Sequence, residues 1–274
     1  PRVTLKYMPV DEIVLRANGG RGLRYSTPLV DNIGVFSTGK KFVGAYDKHI
    51  LEDAWTVGGN ITYYMPFGAS SNTYLSFYYF RTQFAQQMVV DYECNEDPTS
   101  IHFYALNGKR SYTDNFQVDF SVDPVERFNI TATFRYTNAR IELEGKGLVE
   151  KPMTSQYKGV LNLQYATNLN RWIFDFTASV NGPCRVYGFM RDMDGIKERN
   201  GRYYSPVYPL RYAQVTRRFK GWAVYVGAEN LTNFTQKNPI ISAANPRAAS
   251  FDASCIWGPL MGIKAHVGFR FTLW

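Results

Sequence analysis

Cysteine and histidine are scarce, and neither residue type falls into a motif. The three cysteines, Cys94, Cys184 and Cys255, show no CxxC or Cys/His ligand spacing, so a zinc site has no support. Their odd number leaves at least one thiol unpaired within the chain. The three histidines, His49, His102 and His266, lie in no Ser/His/Asp or His/Glu arrangement. No nucleophile is thus paired with a base, and the chain reads as a non-enzyme without a cofactor. No apolar run reaches the roughly eighteen residues a transmembrane helix needs. The opening Pro1-Arg2-Val3 shows no basic stretch leading into an apolar one, so no signal peptide is visible; a mature chain or an internal fragment reads the same way. The formal charge is +8, yet Lys and Arg are scattered singly with no dense basic stripe, which argues against nucleic acid. A charged fraction of 20% beside 45% hydrophobic residues excludes a disordered chain.

Aromatics, in contrast, are abundant: 20 Tyr and 19 Phe in 274 residues. They sit within a period-two alternation, the signature of strands with two unlike faces. Phe116, Val118, Phe120 and Val122 face one way, and Asn115, Gln117, Asp119 and Ser121 the other. After a turn at 123–126, Phe128, Ile130, Ala132, Phe134 and Tyr136 alternate with Asn129, Thr131, Thr133, Arg135 and Thr137. Residues 157–167, 171–182 and 262–274 repeat the pattern. Soluble sandwiches also alternate, but these strands approach the roughly 9–11 residues that cross a bilayer. Trp55, Tyr165, Trp172 and Trp222 close the apolar faces as interfacial girdles do.

The connections alternate in length. Short turns fall near 10–11, 66–71, 123–126, 167–170 and 219–221, and long loops near 22–53, 91–111, 140–156, 183–207 and 233–260. Short periplasmic turns and long extracellular loops are the outer-membrane arrangement. The predicted fold is therefore all-β, an antiparallel transmembrane β-barrel, with about eleven strands: 2–9, 12–21, 54–65, 72–90, 112–122, 127–139, 157–167, 171–182, 208–219, 222–232 and 262–274. An odd number leaves two unpaired edges, which lipid does not tolerate, so N-terminal strands are expected to complete the barrel. In strand 72–90, Tyr78, Tyr79 and Phe80 put aromatics on both faces, predicting a bulge or an extension beyond the membrane. The sequons at Asn60, Asn129, Asn230 and Asn233 read as polar-face residues of a bacterial barrel.

The stretch Gly227-Ala228-Glu229-Asn230-Leu231-Thr232-Asn233 resembles the G-x-E/D-N-L-x-N strand of TonB-dependent receptors. Asn238-Pro239, Trp257-Gly258-Pro259 and the closing Val267–Thr272 continue the resemblance, which looks like the Bacteroidetes-type branch. Arg16–Arg24, Ala54-Trp55 and Glu150-Lys151-Pro152-Met153 carry weaker matches. The resemblance implies a barrel of twenty-two strands around a plug domain, in the bacterial outer membrane. Residues 1–274 would be its C-terminal portion, a single incomplete domain without the plug or the N-terminal segment that contacts TonB. It implies TonB-dependent uptake of a scarce nutrient such as a siderophore, corrinoid or metal; a passive porin or structural barrel is the alternative. Such barrels often end on an aromatic in phase with the lipid face, whereas Trp274 is out of phase with Phe269, Phe271 and Leu273.

All three cysteines fall in long loops that open on one side. With Met190, Met193 and Met261 they could hold a soft metal; a loop disulfide with incidental methionines is the favoured reading. Arg185, Arg191, Arg199 and Arg202, with Tyr203 and Tyr204, make one loop basic and aromatic. That suits an anionic or aromatic-rich ligand, such as a siderophore complex or corrinoid, or contact with a surface lipoprotein.

Overall fold

The computed structural model describes residues 1–69, 73–94 and 97–272. Among them the strands are, in order, β1 (Arg2–Val10), β2 (Ile13–Tyr25), β3 (Lys41–Gly44), β4 (Leu51–Tyr64), β5 (Tyr74–Gln86), β6 (Met88–Asp91), β7 (Ser100–Ala105), β8 (Ser111–Val125), β9 (Phe128–Leu143), β10 (Gly147–Glu150), β11 (Tyr157–Ala166), β12 (Trp172–Asn181), β13 (Lys197–Arg199), β14 (Arg202–Tyr204), β15 (Tyr208–Arg218), β16 (Trp222–Glu229) and β17 (Lys264–Phe271). Eleven of them form one sheet in the order β1-β2-β4-β5-β8-β9-β11-β12-β15-β16-β17, and β10 pairs with β9 beside this path. Strands adjacent in the path run antiparallel. This is a partial barrel wall: an open meander whose edges are β1 and β17.

The expected eleven strands and the alternation of short and long connections are present. Several boundaries differ; β8 runs on to Val125, into the predicted turn, and β9 to Leu143. β2 runs on to Tyr25 and β4 starts at Leu51, because Arg21–Asp53 and Arg24–Glu52 pair across the extension. β16 stops at Glu229, where Asn230 turns to positive φ. The predicted strand 72–90 breaks: β5 ends at Gln86, the chain turns at Gln87, and β6 leaves for another sheet. The irregularity lies between Asp53 and Ala54, opposite Phe84–Gln86, whereas Tyr78, Tyr79 and Phe80 hold regular register. The final residues Leu273 and Trp274, and with them the question of the terminal anchor, lie outside the described residues, as does the end of the 66–71 turn.

Burial is inverted relative to a water-soluble sheet. The apolar face is open along its length, and Val267 is 74% exposed and Val57 60%. A surface this apolar and this continuous calls for lipid or a partner. Aromatics gather toward its short-turn end, where Trp222 stacks on Phe219 at 3.9 Å and Arg217 lies 4.8 Å from the Trp172 ring. The opposite face is polar and internally hydrogen-bonded: Asn162 Nδ2 donates to Thr177 Oγ1 at 2.8 Å, and Gln164 Nε2 donates to Asp175 Oδ1 at 2.7 Å.

The buried apolar cores lie instead among the long loops. One comprises Val89, Leu106, Ile141, Leu143 and Val149; a second Val35, Ile101 and Phe103; a third Cys184, Val186, Met190 and Cys255. A three-stranded sheet, β3-β7-β6, stands in this region, with β3 parallel to β7. The long connections thus fold into a packed cap.

Candidate functional site

The cap is tied together by two buried ion pairs and a seam of backbone hydrogen bonds. Arg185 Nη2 meets Glu93 Oε2 at 2.8 Å, with both side chains nearly sealed from solvent. Arg185 Nε donates to the Glu150 carbonyl at 2.8 Å, and Glu93 Oε1 accepts from the Gly188 amide at 3.0 Å. Three long connections meet at this one guanidinium. Lys40 and Asp252 form the second pair at 3.6 Å, fully buried, with the Phe189 ring 4.2 Å from the ammonium. Around it the Gly39 amide donates to the Phe251 carbonyl and the Ala253 amide to the Ser37 carbonyl. The connections after β2 and after β16 therefore touch, although their strands lie near opposite ends of the sheet.

A cavity of about 500 Å³ opens in this cap. Tyr92, Phe189 and Tyr203 give it aromatic walls, and Lys146 and Arg191 bring cationic groups. Burial pushes the Tyr92 hydroxyl up to about 12. Asp97, at the rim, is held down at about 2 by hydrogen bonds from Thr99 and Ser100. Glu93 and Asp192 line the cavity as well, Glu93 paired with Arg185 and Asp192 3.4 Å from Arg191, so it offers charges of both signs between aromatic walls.

The six residues predicted to contact ligand separate into three pairs. Arg185 is buried in the ion pair with Glu93, and Tyr204 is buried beneath Arg199, whose guanidinium lies 5.6 Å from its ring. Both hold the cap together. Arg191 and Tyr203 line the cavity. Arg199 and Arg202 face one another across the hairpin β13–β14, turned by Asn200 and Gly201 at φ 52° and 70°. Like charges directly opposite are unfavourable, so this pair favours an anionic partner. The Asn-Gly dipeptide is a hairpin signal legible in the sequence. Lys146, Tyr92 and Phe189 carried no such signal, because they come from three separate connections.

The motif residues build the base of the cap. Asn230 Nδ2 donates to the carbonyls of Phe234 at 2.8 Å and Met261 at 2.9 Å, while its Oδ1 accepts from the Phe234 amide. Leu231 hangs its amide on the Arg211 carbonyl. Asn233 Oδ1 accepts from the Ile263 amide at 3.2 Å. Asn238, just before Pro239, donates to Asp194 at 3.1 Å. Gln236 Oε1 accepts from the Trp257 and Gly258 amides, and the Pro259 carbonyl accepts from the Gln236 amide. Glu229 approaches Lys264 at 3.8 Å across the strand pair. At Gly227 a Cβ would stand 2.6 Å from His266 Nε2, so only glycine leaves room for that ring. These residues staple the last long connection to its strands.

The favoured loop disulfide is absent: all three cysteines are buried free thiols. The Cys184 thiol lies 3.4 Å from Ser205 Oγ, and burial pushes the Cys255 thiol well up. Cys184, Cys255, Met190 and Met193 share one apolar cluster, but Met261 is 65% exposed and stands apart. Ser100 Oγ lies 3.1 Å from His102 Nε2 and donates to Asp97. That order is not a catalytic triad, in which the carboxylate holds the histidine, and Ser100 is buried.

An antiparallel meander with one lipid-type face, one polar face and a folded cap on the long-connection side has the architecture of part of a transmembrane β-barrel wall. Solved structures share it. The ferripyoverdine receptor of the outer membrane of Pseudomonas aeruginosa aligns with a TM-score of 0.61 at 12% identity, over 99% of this chain and 32% of that one. A variant of the ferric enterobactin receptor PfeA of the same organism aligns at 0.63 and 12% identity, over 98% and 39%. The ferric-catecholate import receptor Fiu from Escherichia coli K12 aligns at 0.60 and 13% identity, over 98% and 34%. The chain thus spans between about a third and two fifths of these receptors' lengths. No protein-family model matches it, and no curated protein does.

Proposed function

We propose that residues 1–274 form the C-terminal portion of the barrel of a TonB-dependent receptor in a bacterial outer membrane. In this reading the apolar face meets lipid, the polar face lines the lumen and meets a plug domain, and preceding strands close the barrel against β1 and β17. The long connections are extracellular and bind a scarce nutrient, and energy arrives through TonB and the plug. The observation that carries the reading is the cap: long connections folded into a body with an aromatic-walled, charged cavity, standing on an eleven-stranded wall. A simple pore has no need of such a body.

The aromatic walls of the cavity and the paired Arg199 and Arg202 beside them suit an anionic or aromatic-rich ligand, of which a ferric catecholate is one form. The test is uptake of a radiolabelled ferric catecholate, and separately of cobalamin, by cells expressing the full-length protein with and without TonB. TonB-dependent accumulation of either is expected. Leakage of small solutes at equal rates in both strains would replace this reading with a passive porin.

A further inference from the structure

We propose that the polar face carries a binding belt for oxyanion groups of the cargo, carboxylate or phosphate, centred on the facing pair Arg135 and Lys158. This deepens the proposed function and rests on it in taking the polar face as the lumen wall.

The belt follows from register. One row crosses the polar face, with a single residue from each strand it meets. It begins at Lys6 and Arg16, directly opposite one another on β1 and β2. It crosses Asn60, Tyr78 and Gln117 on β4, β5 and β8. It then reaches Arg135 and Lys158, again directly opposite, on β9 and β11. It runs out through Asn181 and Tyr208 on β12 and β15. Every side chain in this row can donate a hydrogen bond, and none is a carboxylate.

Neutral donors of the row are engaged within the protein. Asn60 Nδ2 donates to Thr62 Oγ1 at 3.2 Å, Gln117 Nε2 to both Asp119 carboxylate oxygens at 3.0 Å, and the Tyr208 hydroxyl to the Trp257 carbonyl at 3.2 Å. The cations are free. Among the described residues, none of Lys6, Arg16, Arg135 and Lys158 has an ion-pair partner. In the adjoining rows from β2 to β11 the single carboxylate is Asp119, which Gln117 already holds.

Arg135 and Lys158 are exposed and have a paired strand on each side, so their neighbours in the wall are complete. Opposed Cβ atoms lie about 4.5–5.5 Å apart, and like charges so placed repel. A shared oxyanion turns that repulsion into two charge-assisted contacts, the guanidinium as a fork and the ammonium as a point charge. Rings of Arg and Lys select anions in pores by the same means.

The height of the pair favours cargo as its occupant. Two residues toward the rim, the Thr137 amide donates to the Gln156 carbonyl, and the Gln156 amide to the Pro183 carbonyl. The pair therefore lies directly beneath the seam between the wall and the connection after β12. That connection also carries the hairpin with Arg199 opposite Arg202. An anion released from the cap on this side meets Arg135 and Lys158 next. Arg16 stands four strand steps from Arg135, roughly 19 Å at about 4.8 Å each, so the two cationic pairs are separate stations. Passage needs binding at several sites, each weak enough to release.

The test is calorimetric titration of the full-length protein, purified in detergent at low salt, with inorganic tripolyphosphate. The wild type should bind it, and Arg135→Gln with Lys158→Gln should bind about tenfold more weakly or worse. Arg135→Lys keeps the charge and should recover most of the affinity. Should the double variant fail to insert, Lys158→Gln alone decides by the same titration. Equal affinity in wild type and charge-removed variants, or binding by neither, would overturn the belt. So would a double variant that binds as wild type but unfolds at lower temperature, since the pair would then serve a carboxylate of the protein itself. TonB-dependent uptake distinguishes the two readings: uptake with no belt-dependent binding keeps the receptor and loses the belt, and the reverse result keeps the anion site and loses the receptor.

Discussion

At the scale of single residues, the cap rests on a few polar side chains that each hold several strands of chain. Asn230 combines a positive φ of 50° with two carbonyl acceptors. Asn230→Gly keeps the turn and loses the bonds; Asn230→Ala loses both. We expect the first to cost about 1–3 kcal/mol, from buried groups left unpaired, and the second more, because a Cβ disfavours that φ. Thermal unfolding of the detergent-solubilised full-length protein, with heat-modifiable mobility as readout, ranks them. Arg185 and Arg191 should behave in opposite ways. Arg185→Met strands Glu93 in a buried site, at about 3–5 kcal/mol. Arg191→Gln alters an exposed side chain at the cavity and should weaken binding of the proposed ligand with little effect on unfolding, which titration of the purified full-length protein will resolve.

At the scale of elements, each strand presents two environments, and one added charge distinguishes them. Val226→Lys places an ammonium on the apolar face of β16 and should cost about 2–4 kcal/mol in bilayer. Gln164→Lys, on the polar face of β11 opposite Asp175, should be nearly neutral; refolding into lipid vesicles with urea titration compares the two. The turn that carries Asp97 has its own pH dependence. A carboxyl held at about 2 in the fold against roughly 3.9 unfolded contributes stability that is complete above pH 4 and lost as pH falls toward 2. Protection factors across 97–102, corrected for intrinsic exchange, should fall between pH 4 and pH 2 in wild type and not in Asp97→Asn. Strands such as β8 and β9 were legible from sequence because lipid on one side and polar lumen on the other imposes a strict period of two. The break at Gln87 was not: Met88-Val89-Val90 prolongs the apolar pattern of β5, but those residues bury against Leu106 and Ile101 of the cap. Of the predicted contact residues, Arg191 and Tyr203 reach the cavity. Arg185 could not be told from them, since its partner Glu93 lies on another long connection.

At the scale of the whole molecule, the cap is one body and should open as one. Lys40→Met leaves Asp252 uncompensated in a site with no exposure. Trypsin sites at Lys48 and Arg247, on two different long connections, should then become cleavable together on intact cells expressing the full-length protein; cleavage at only one would show that the connections open independently. The same seam bears on assembly. Thr38 bridges to Asp252, so the first long connection is finished only when the last has arrived, after nearly every intervening strand is in place. Contacts this distant along the chain form late and slowly. The closing of the cap is therefore a proofreading step: a wall with one strand missing or out of register cannot bring the two ends of the seam together. A barrel whose cap resists protease has, by that fact, counted its own strands.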